Sequence, residues 1–172
     1  MIVDIPTFQT ARLTLRAPAQ EDVAPFSAFV ASDRSKYVGG PGTDMNASAR
    51  AWAHVTGLWV LRGYSSFTAC LKDGTPIGCV GPWHPHVWPE PEMGWTLWDA
   101  TYEGKGYISE ALETLFPYVW NTVGLPTIVA HIHPDNAASM KVAKRFGGQV
   151  DRDAQAPDDD PVVTYRFRRE AA

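Results

Sequence analysis

Apolar and polar residues alternate along several short runs of the chain, and elsewhere apolar residues recur every three or four positions. The alternating runs predict strands at residues 12–16, 65–71, 76–80, 92–98, 127–133, 149–153 and 162–168. The longer period predicts helices at residues 20–31, 46–62, 106–122 and from 134 to the glycines at 147 and 148. The order is therefore strand, two helices, three strands, helix, strand, helix and two strands.

This order describes an α+β fold, in which one mixed sheet carries helices on both faces. Strands 92–98 and 127–133 are joined through a helix, which predicts a right-handed parallel crossover. Residues 72–75 have the chemistry of an antiparallel hairpin. Asn46 or Thr43 is expected to cap the second helix, and Pro117 is expected to kink or break the third.

A glycine turn lies between the strand at 92–98 and the helix that follows it. Gly104 and Gly106 flank Lys105, and the amides of the first helical turn have no partner within the helix. Because the helix dipole adds positive character there, the turn suits a phosphate or another anion. A simple glycine-containing turn is the alternative interpretation of so short a motif.

Composition places the chain among globular proteins and excludes several classes. The 172 residues fit one domain spanning residues 1–172, with 45% hydrophobic and 20% charged residues. The net charge of -4 gives no reason to expect a nucleic acid or an anionic membrane as partner. The N-terminus does not resemble a signal peptide and no apolar run is long enough for a membrane span, so we expect a cytoplasmic protein in which Cys70 and Cys79 are buried thiols.

Two sets of side chains outside the glycine turn could also carry chemistry. Trp83 and Trp88 flank a proline-rich loop, where they could line an acceptor pocket or pack over the edge of the core. Histidines two positions apart, a spacing that suits a metal ion, occur at His84 and His86 and at His131 and His133. Neither pair is accompanied by a carboxylate or cysteine cluster, so we predict no metal site.

Three motifs in order resemble the GNAT N-acetyltransferase superfamily, and in particular its RimJ and RimL branch. They are TARLTLR at 10–16, MGW at 93–95 followed by GKGYISEA at 104–111, and NAAS at 136–139 followed by Val142, Lys144 and Gly147. The resemblance covers nearly the whole chain. It implies the GNAT fold, with a mixed, mostly antiparallel sheet of seven strands, about four helices, acetyl-CoA as co-substrate and no metal.

The resemblance also implies where acetyl-CoA would bind. Strands 92–98 and 127–133 should splay apart, so that backbone groups near Leu97 and Trp98 pair with the pantetheine arm. The arm should end near Asn136 and Ser139, close to the thioester. The pyrophosphate should rest on the amides of Gly104, Lys105, Gly106 and Tyr107.

The chain departs from the family pattern at two places. Thr101 stands where many members have Gln or Arg, which places one pyrophosphate contact in doubt. The second motif ends in Gly147 and Gly148 rather than in Gly-Phe, which removes an aromatic packing group.

Acetyl transfer to an amine needs a base, an oxyanion donor and a proton for the thiolate, and each need suggests a residue. Glu92 resembles a recurrent family position and is the candidate base, with a solvated strand-end carboxylate as the alternative. An amide near Leu97 or Trp98 is the candidate oxyanion donor. Ser139 is the candidate proton donor, although a serine near a helix start can also serve only as a cap.

These observations lead to an acetyl-CoA-dependent N-acetyltransferase that acts on a primary amine of a small molecule or of a protein or peptide N-terminus. A non-catalytic GNAT module that binds acyl-CoA as a sensor or interaction domain is the alternative. A nucleotide-binding fold ranks last, because the turn lacks the longer cradle ending in Gly-Lys-Ser/Thr. The sequence leaves open whether two copies of the chain form a homodimer.

Overall fold

Eight strands and four α-helices form the fold in the computed structural model, which describes residues 3–169. The strands are β1 (Phe8–Gln9), β2 (Leu13–Arg16), β3 (Phe67–Leu71), β4 (Pro76–Trp83), β5 (Glu92–Leu97), β6 (Thr127–Ile132), β7 (Gln149–Val150) and β8 (Val163–Arg168). The helices are α1 (Val23–Ala31), α2 (Met45–Arg62), α3 (Tyr107–Tyr118) and α4 (Ala137–Arg145). Every predicted strand and helix is present. The eighth strand is β1, whose two residues are too few to show alternation.

The strands form one mixed sheet in the order β1-β2-β3-β4-β5-β6-β8-β7. Every neighbouring pair is antiparallel except β5 and β6, which are parallel and connected through α3. The predicted antiparallel hairpin of β3 and β4 and the predicted parallel pairing of β5 with β6 through α3 are therefore confirmed.

Alternation along β5 separates two layers of packing. Met93 is 1% exposed and belongs to the main core, which includes residues of α3 and α4. Trp98 points to the opposite face and packs with Phe29 of α1 and Trp52 of α2. Glu92 has the same parity as Trp98, so its side chain lies on the face that α1 and α2 cover.

The parallel strands β5 and β6 meet only near their starts. Glu92 and Val129 are the single registered pair, supported by a hydrogen bond from the Val129 amide to the Pro91 carbonyl at 3.1 Å. Beyond this point the strands diverge toward their carboxyl ends. They leave a gap in the sheet, which we call the β5–β6 gap.

The cap of α2 needs correction, and the end of α3 shows the effect of Pro117. The cap of α2 is Asp44 rather than Asn46 or Thr43, because the extended backbone of Asp44 lets its carboxylate accept the Ala47 amide at 2.8 Å. The regular α-helix ends at Tyr118, one residue after Pro117, and the chain continues as a π-helical turn at Val119–Val123, so α-helical geometry is interrupted next to the proline. A π-helical turn changes the hydrogen-bonding pattern of the backbone, and it can therefore tolerate the bond that is missing because proline has no N–H to donate.

The helix end at Gly147 and Gly148 shows how the missing family aromatic is replaced. Gly147 has a left-handed φ of 78°, as a glycine after a helix commonly does. A Cβ at Gly148 would lie 2.8 Å from the ring of Phe167, so β8 already fills this space. An aromatic side chain at position 148 would collide with Phe167.

Two further predictions concern thiols and membranes. Cys70 and Cys79 are both free, as predicted, and the Cys79 Sγ lies 3.1 Å from the Thr96 Oγ1. Between residues 3 and 169, none of the helices combines the length and the apolar character needed to cross a bilayer.

Candidate active site

The glycine turn lies at the mouth of the β5–β6 gap and begins α3. Gly104 and Gly106 have left-handed φ angles of 70° and 80°, which favour glycine at both positions. The first bond within the helix runs from the Glu110 amide to the Gly106 carbonyl. Within residues 3–169, the amides of residues 107–109 therefore have no partner in the helix, and they form a row of available donors beside Gly104, Lys105 and Gly106.

Arg12 braces this turn from the edge of β2. Its Nη1 donates to the Lys105 carbonyl at 2.8 Å, and its Nε bonds to Glu110 Oε2 at 2.6 Å. The guanidinium carbon also lies 4.7 Å from the centre of the Tyr107 ring. Because Arg12 is held by Glu110 and by a carbonyl, it fixes the shape of the turn.

The edge of β5 supplies backbone groups to the gap. The Trp98 amide donates to the Ile77 carbonyl at 2.9 Å, so it belongs to the ladder with β4. Because antiparallel ladders alternate, the backbone N–H and C=O of Leu97 point the other way, into the gap. Of the two predicted backbone contacts, Leu97 is therefore the better placed, and the Trp98 amide is already occupied.

Glu92 lies at the closed end of the gap with an unusual set of partners. The indole nitrogens of Trp83 and Trp88 both donate to Oε2, at 3.1 and 2.8 Å. The backbone amide of His131, on β6, donates to Oε1 at 3.3 Å. Trp83 at the end of β4 and Trp88 in the proline-rich loop thus position a half-buried carboxylate.

Burial raises the pKa of Glu92 above the ordinary glutamate value, and the bonds from Trp88, the His131 amide and Trp83 only partly oppose it. Among the described residues no Lys or Arg forms an ion pair with it. A carboxylate in neutral surroundings with a raised pKa is a stronger base than an exposed one.

Asn136 and Ser139 lie on the other side of the gap, at the start of α4. The Asn136 Oδ1 accepts the Ser139 amide at 3.1 Å, so Asn136 acts as the cap. The Ser139 hydroxyl instead accepts the indole N–H of Trp95 on β5 at 3.2 Å. Within residues 3–169 the Ser139 hydroxyl proton has no acceptor, so it is free to be donated, and Trp95 links β5 to α4.

A family model described as "Acetyltransferase (GNAT) domain" matches residues 12–149. The chain belongs to the GNAT acetyltransferase family. The match begins at the arginine that braces the glycine turn and ends at the first residue of β7, so it includes every candidate site residue described above.

Individual relatives agree with this assignment. An acetyltransferase from Agrobacterium tumefaciens str. C58 has a crystal structure with 36% identity, a TM-score of 0.90 and coverage of 98% of both chains. The uncharacterized N-acetyltransferase YnaD of Bacillus subtilis (strain 168) is 36% identical over 56 residues, 33% of this chain, and the chain matches only 32% of that protein's length. RimL, a ribosomal L7/L12 alpha-N-protein acetyltransferase in complex with coenzyme A, shares the fold with a TM-score of 0.74 at 18% identity, over 95% of this chain and 98% of that one.

Several features of this GNAT domain fit a coenzyme A thioester. The row of free amides suits a pyrophosphate, and the open strand edge suits the amides of a pantetheine arm. Lys105 is exposed beside the row. Thr101 is also exposed, and its amide is occupied by Asp99 Oδ1 at 2.8 Å.

Sequence reasoning missed two arginines at this site. Arg12 was seen only as part of an opening strand, and Arg34 was not considered. Arg34 donates to Glu103 at 2.6 Å and to the Leu97 carbonyl at 3.1 Å. These partners are 63 to 98 residues away in the chain, so no local pattern could reveal them.

The histidine pairs have other partners in the fold. The His84 ring contacts the Tyr64 hydroxyl and the Trp88 carbonyl, and His131 Nδ1 lies 2.9 Å from Thr164 Oγ1. Burial lowers the pKa of both rings. Across residues 3–169, no three side chains of His, Cys, Asp or Glu form a group that could hold a metal ion.

Proposed function

We propose that the protein transfers the acetyl group of acetyl-CoA to a primary amine, carried by a small molecule or by a protein or peptide N-terminus. The observation that carries this proposal is the placement of Glu92. A carboxylate with a raised pKa lies at the closed end of a gap whose mouth holds a row of free amides. Such a gap receives a donor at one end and a base at the other.

Each residue would act on a particular atom. Acetyl-CoA, when bound, supplies the thioester carbonyl that the amine attacks. Glu92 takes the proton that the amine must lose, directly or through one water molecule. The Leu97 amide points into the gap and donates to the oxygen that gains charge. Ser139 Oγ–H donates the proton that the departing sulfur needs.

The two catalytic side chains suit a reaction that takes place between the strands. Glu92 extends from the face that α1 and α2 cover, and Ser139 approaches from α4 on the other face. The acceptor would enter beside Trp83 and Trp88, while the thiol would leave on the side of α4. This separation places the proton acceptor on the side of the amine and the proton donor on the side of the departing sulfur.

A mass-spectrometric screen tests the proposal. The protein is incubated with acetyl-CoA and with monoamines, polyamines, amino acids and N-terminal peptides, with Glu92→Gln as the matched control. We expect one class of amine to gain an acetyl group in the wild type and far less in the variant. Binding of acetyl-CoA by calorimetry without any acetylated product would support the sensor alternative. Tight ATP binding without acetyl-CoA binding would contradict both.

A further inference from the structure

Arg34 lies on the 3₁₀ turn Asp33–Ser35, between α1 and α2, and reaches the mouth of the β5–β6 gap. Its Nη2 bonds both to the Leu97 carbonyl and to the Glu103 carboxylate. Its Nε is buried and finds no hydrogen-bond partner within the part of the chain that the structure describes. Leaving a buried donor of a charged group unpaired is costly, so this guanidinium is held short of its bonding capacity.

The Leu97 carbonyl is also the group that a pantetheine arm would need. The backbone of Leu97 faces the gap, and an extended arm that adds to β5 as a strand would donate its amide to this oxygen. The arm and Arg34 Nη2 thus compete for one acceptor. When Arg34 loses that bond, its donors remain next to Glu103, the residue that precedes Gly104.

A pyrophosphate bound at the glycine turn would offer acceptors to the N–H groups of Arg34. A pyrophosphate brings two negative charges, and the free amides supply only partial positive charge. Arg12 is paired with Glu110, and Thr101 carries no charge. Lys105 stands in the turn itself, and Arg34 reaches the turn through its ion pair with the exposed Glu103.

We propose that Arg34 binds the donor's pyrophosphate after the pantetheine arm has displaced it from Leu97, so that the segment at 33–37 moves with the donor. This inference rests on the proposed use of acetyl-CoA. The far end of the segment contacts the opposite side of the gap. Tyr37 stacks on His133 with ring centres 4.9 Å apart, and its hydroxyl lies 3.4 Å from the Asp135 carbonyl. Donor binding is thereby communicated to the loop that precedes α4.

Calorimetry with two ligands separates this role from a structural one. Coenzyme A carries the pyrophosphate, and pantetheine is the same thiol arm without it. Arg34→Gln should weaken coenzyme A binding roughly 10- to 100-fold, as expected for lost charge-assisted hydrogen bonds. The same change should leave pantetheine binding equal or tighter, because the competitor for Leu97 is gone.

Matched variants make the comparison sharp. Lys36→Gln removes the same charge two residues away, where Lys36 Nζ lies over the Tyr37 ring, and should change neither affinity. Arg34→Lys should recover part of the coenzyme A affinity. If Arg34→Gln does not fold, Arg34→Lys replaces it in the comparison with the wild type. Hydrogen exchange should show that coenzyme A slows exchange at residues 33–37 in the wild type and not in Arg34→Gln.

Three results would overturn the inference. Equal coenzyme A affinity in the wild type and Arg34→Gln would show that Arg34 does not bind the pyrophosphate. An equal loss of coenzyme A and pantetheine affinity would show that Arg34 only braces the gap. Unchanged exchange at residues 33–37 on adding coenzyme A would show that the segment does not follow the donor. Failure of the wild type to bind coenzyme A at all would instead refute the proposed function.

Discussion

Asp22 and Glu92 are both withdrawn from water, yet their surroundings have opposite effects. Asp22 is 0% exposed and accepts two bonds from the Arg16 guanidinium, one from the Ala19 amide and one from Thr68. Burial alone would raise its pKa, but these bonds and the positive charge lower it. Glu92 has three neutral N–H donors and, among residues 3–169, no cation paired with it, so burial prevails and its pKa rises.

The comparison shows how a fold shifts the pKa values of two buried carboxylates in opposite directions. A cation beside Asp22 keeps it ionised and fixes the connection between β2 and α1. The indoles around Glu92 orient the carboxylate without binding it so strongly that it cannot accept a proton. The neutral donors thus fix the position of the Glu92 carboxylate. Its pKa stays raised because, among the described residues, no cation offsets the effect of burial.

The largest expected effect is on stability at Asp22. Asp22→Asn should lower the free energy of unfolding by about 3 kcal/mol, because it leaves Arg16 without its charge partner. Glu21→Gln is the control, because Glu21 is exposed and its carboxylate comes no nearer to Arg16 than 4.0 Å. This change should lower the free energy of unfolding by less than about 0.5 kcal/mol. Urea unfolding at neutral pH measures both. An equal cost for the two variants would contradict the structural role of Asp22.

The same site predicts a pH dependence of stability. The folded-state pKa of Asp22 lies below the unfolded value of about 3.9. Its contribution is therefore complete above the unfolded pKa and is lost as the pH falls through the folded pKa. The acid-induced loss of stability should be smaller in Asp22→Asn than in the wild type, and identical acid limbs would show that another group is responsible.

At Glu92 the expected loss is in catalysis instead. Glu92→Gln should reduce kcat/KM about 100-fold for a lysine-like amine, which is mostly protonated at neutral pH, and less for an α-amine. Stability should change little, because the amide oxygen of the new side chain can take the place of Oε2 and keep both indole bonds. Glu90→Gln removes a nearby carboxylate that is bound to Arg166 and should retain kcat/KM within a few-fold. Similar losses in the two variants would contradict a special role for Glu92.

The indole donors predict a smaller, more specific effect. Trp88→Phe removes the 2.8 Å donor to Glu92 and should raise the pKa of the carboxyl further, moving the acidic limb of the rate profile to higher pH. At a pH well above that limb, kcat should change less than about fivefold, the worth of one hydrogen bond. Trp120 lies away from Glu92, so Trp120→Phe should leave the acidic limb of the rate profile in place. A limb unmoved by Trp88→Phe would show that the indole does not tune the base.

Ser139 should show the smallest effect of the series. Ser139→Ala removes a proton donor that solvent can replace, since a thiol has a pKa of about 8.5, so kcat should fall less than about tenfold. Ser139→Thr retains a hydroxyl and should recover most of the loss. Steady-state kinetics with a saturating amine measures both variants, and equal rates for Ala and Thr would exclude the hydroxyl from proton transfer.

The sequence predicted the parts of the molecule that depend on local patterns. The glycine turn, the parallel crossover and the caps near Asn136 and Gly147 follow from residues close together in the chain. The cap at Asp44 was missed because three neighbouring polar residues compete, and only the backbone angles decide among them. Pro117 was expected to disturb α3, but the π turn that accommodates it depends on how the whole helix packs.

The acceptor side could not be predicted in the same way. Glu92 itself was identified, but its partners come from β4, the proline-rich loop and β6, up to 39 residues away. The ties from Arg12 to Glu110 and from Arg34 to Glu103 span 98 and 69 residues. Such contacts are created by tertiary packing, and periodicity carries no information about them.

The pH dependence of kcat/KM, measured on the wild type and Glu92→Gln with one amine acceptor, shows whether Glu92 is the base. We expect an acidic limb in the wild type that lies above the ordinary glutamate pKa of about 4.3. The limb reports a group in the free enzyme or substrate, so the amine's own titration must be subtracted first. In Glu92→Gln the limb should disappear together with most of the rate. An unchanged limb in the variant would show that Glu92 is not the base.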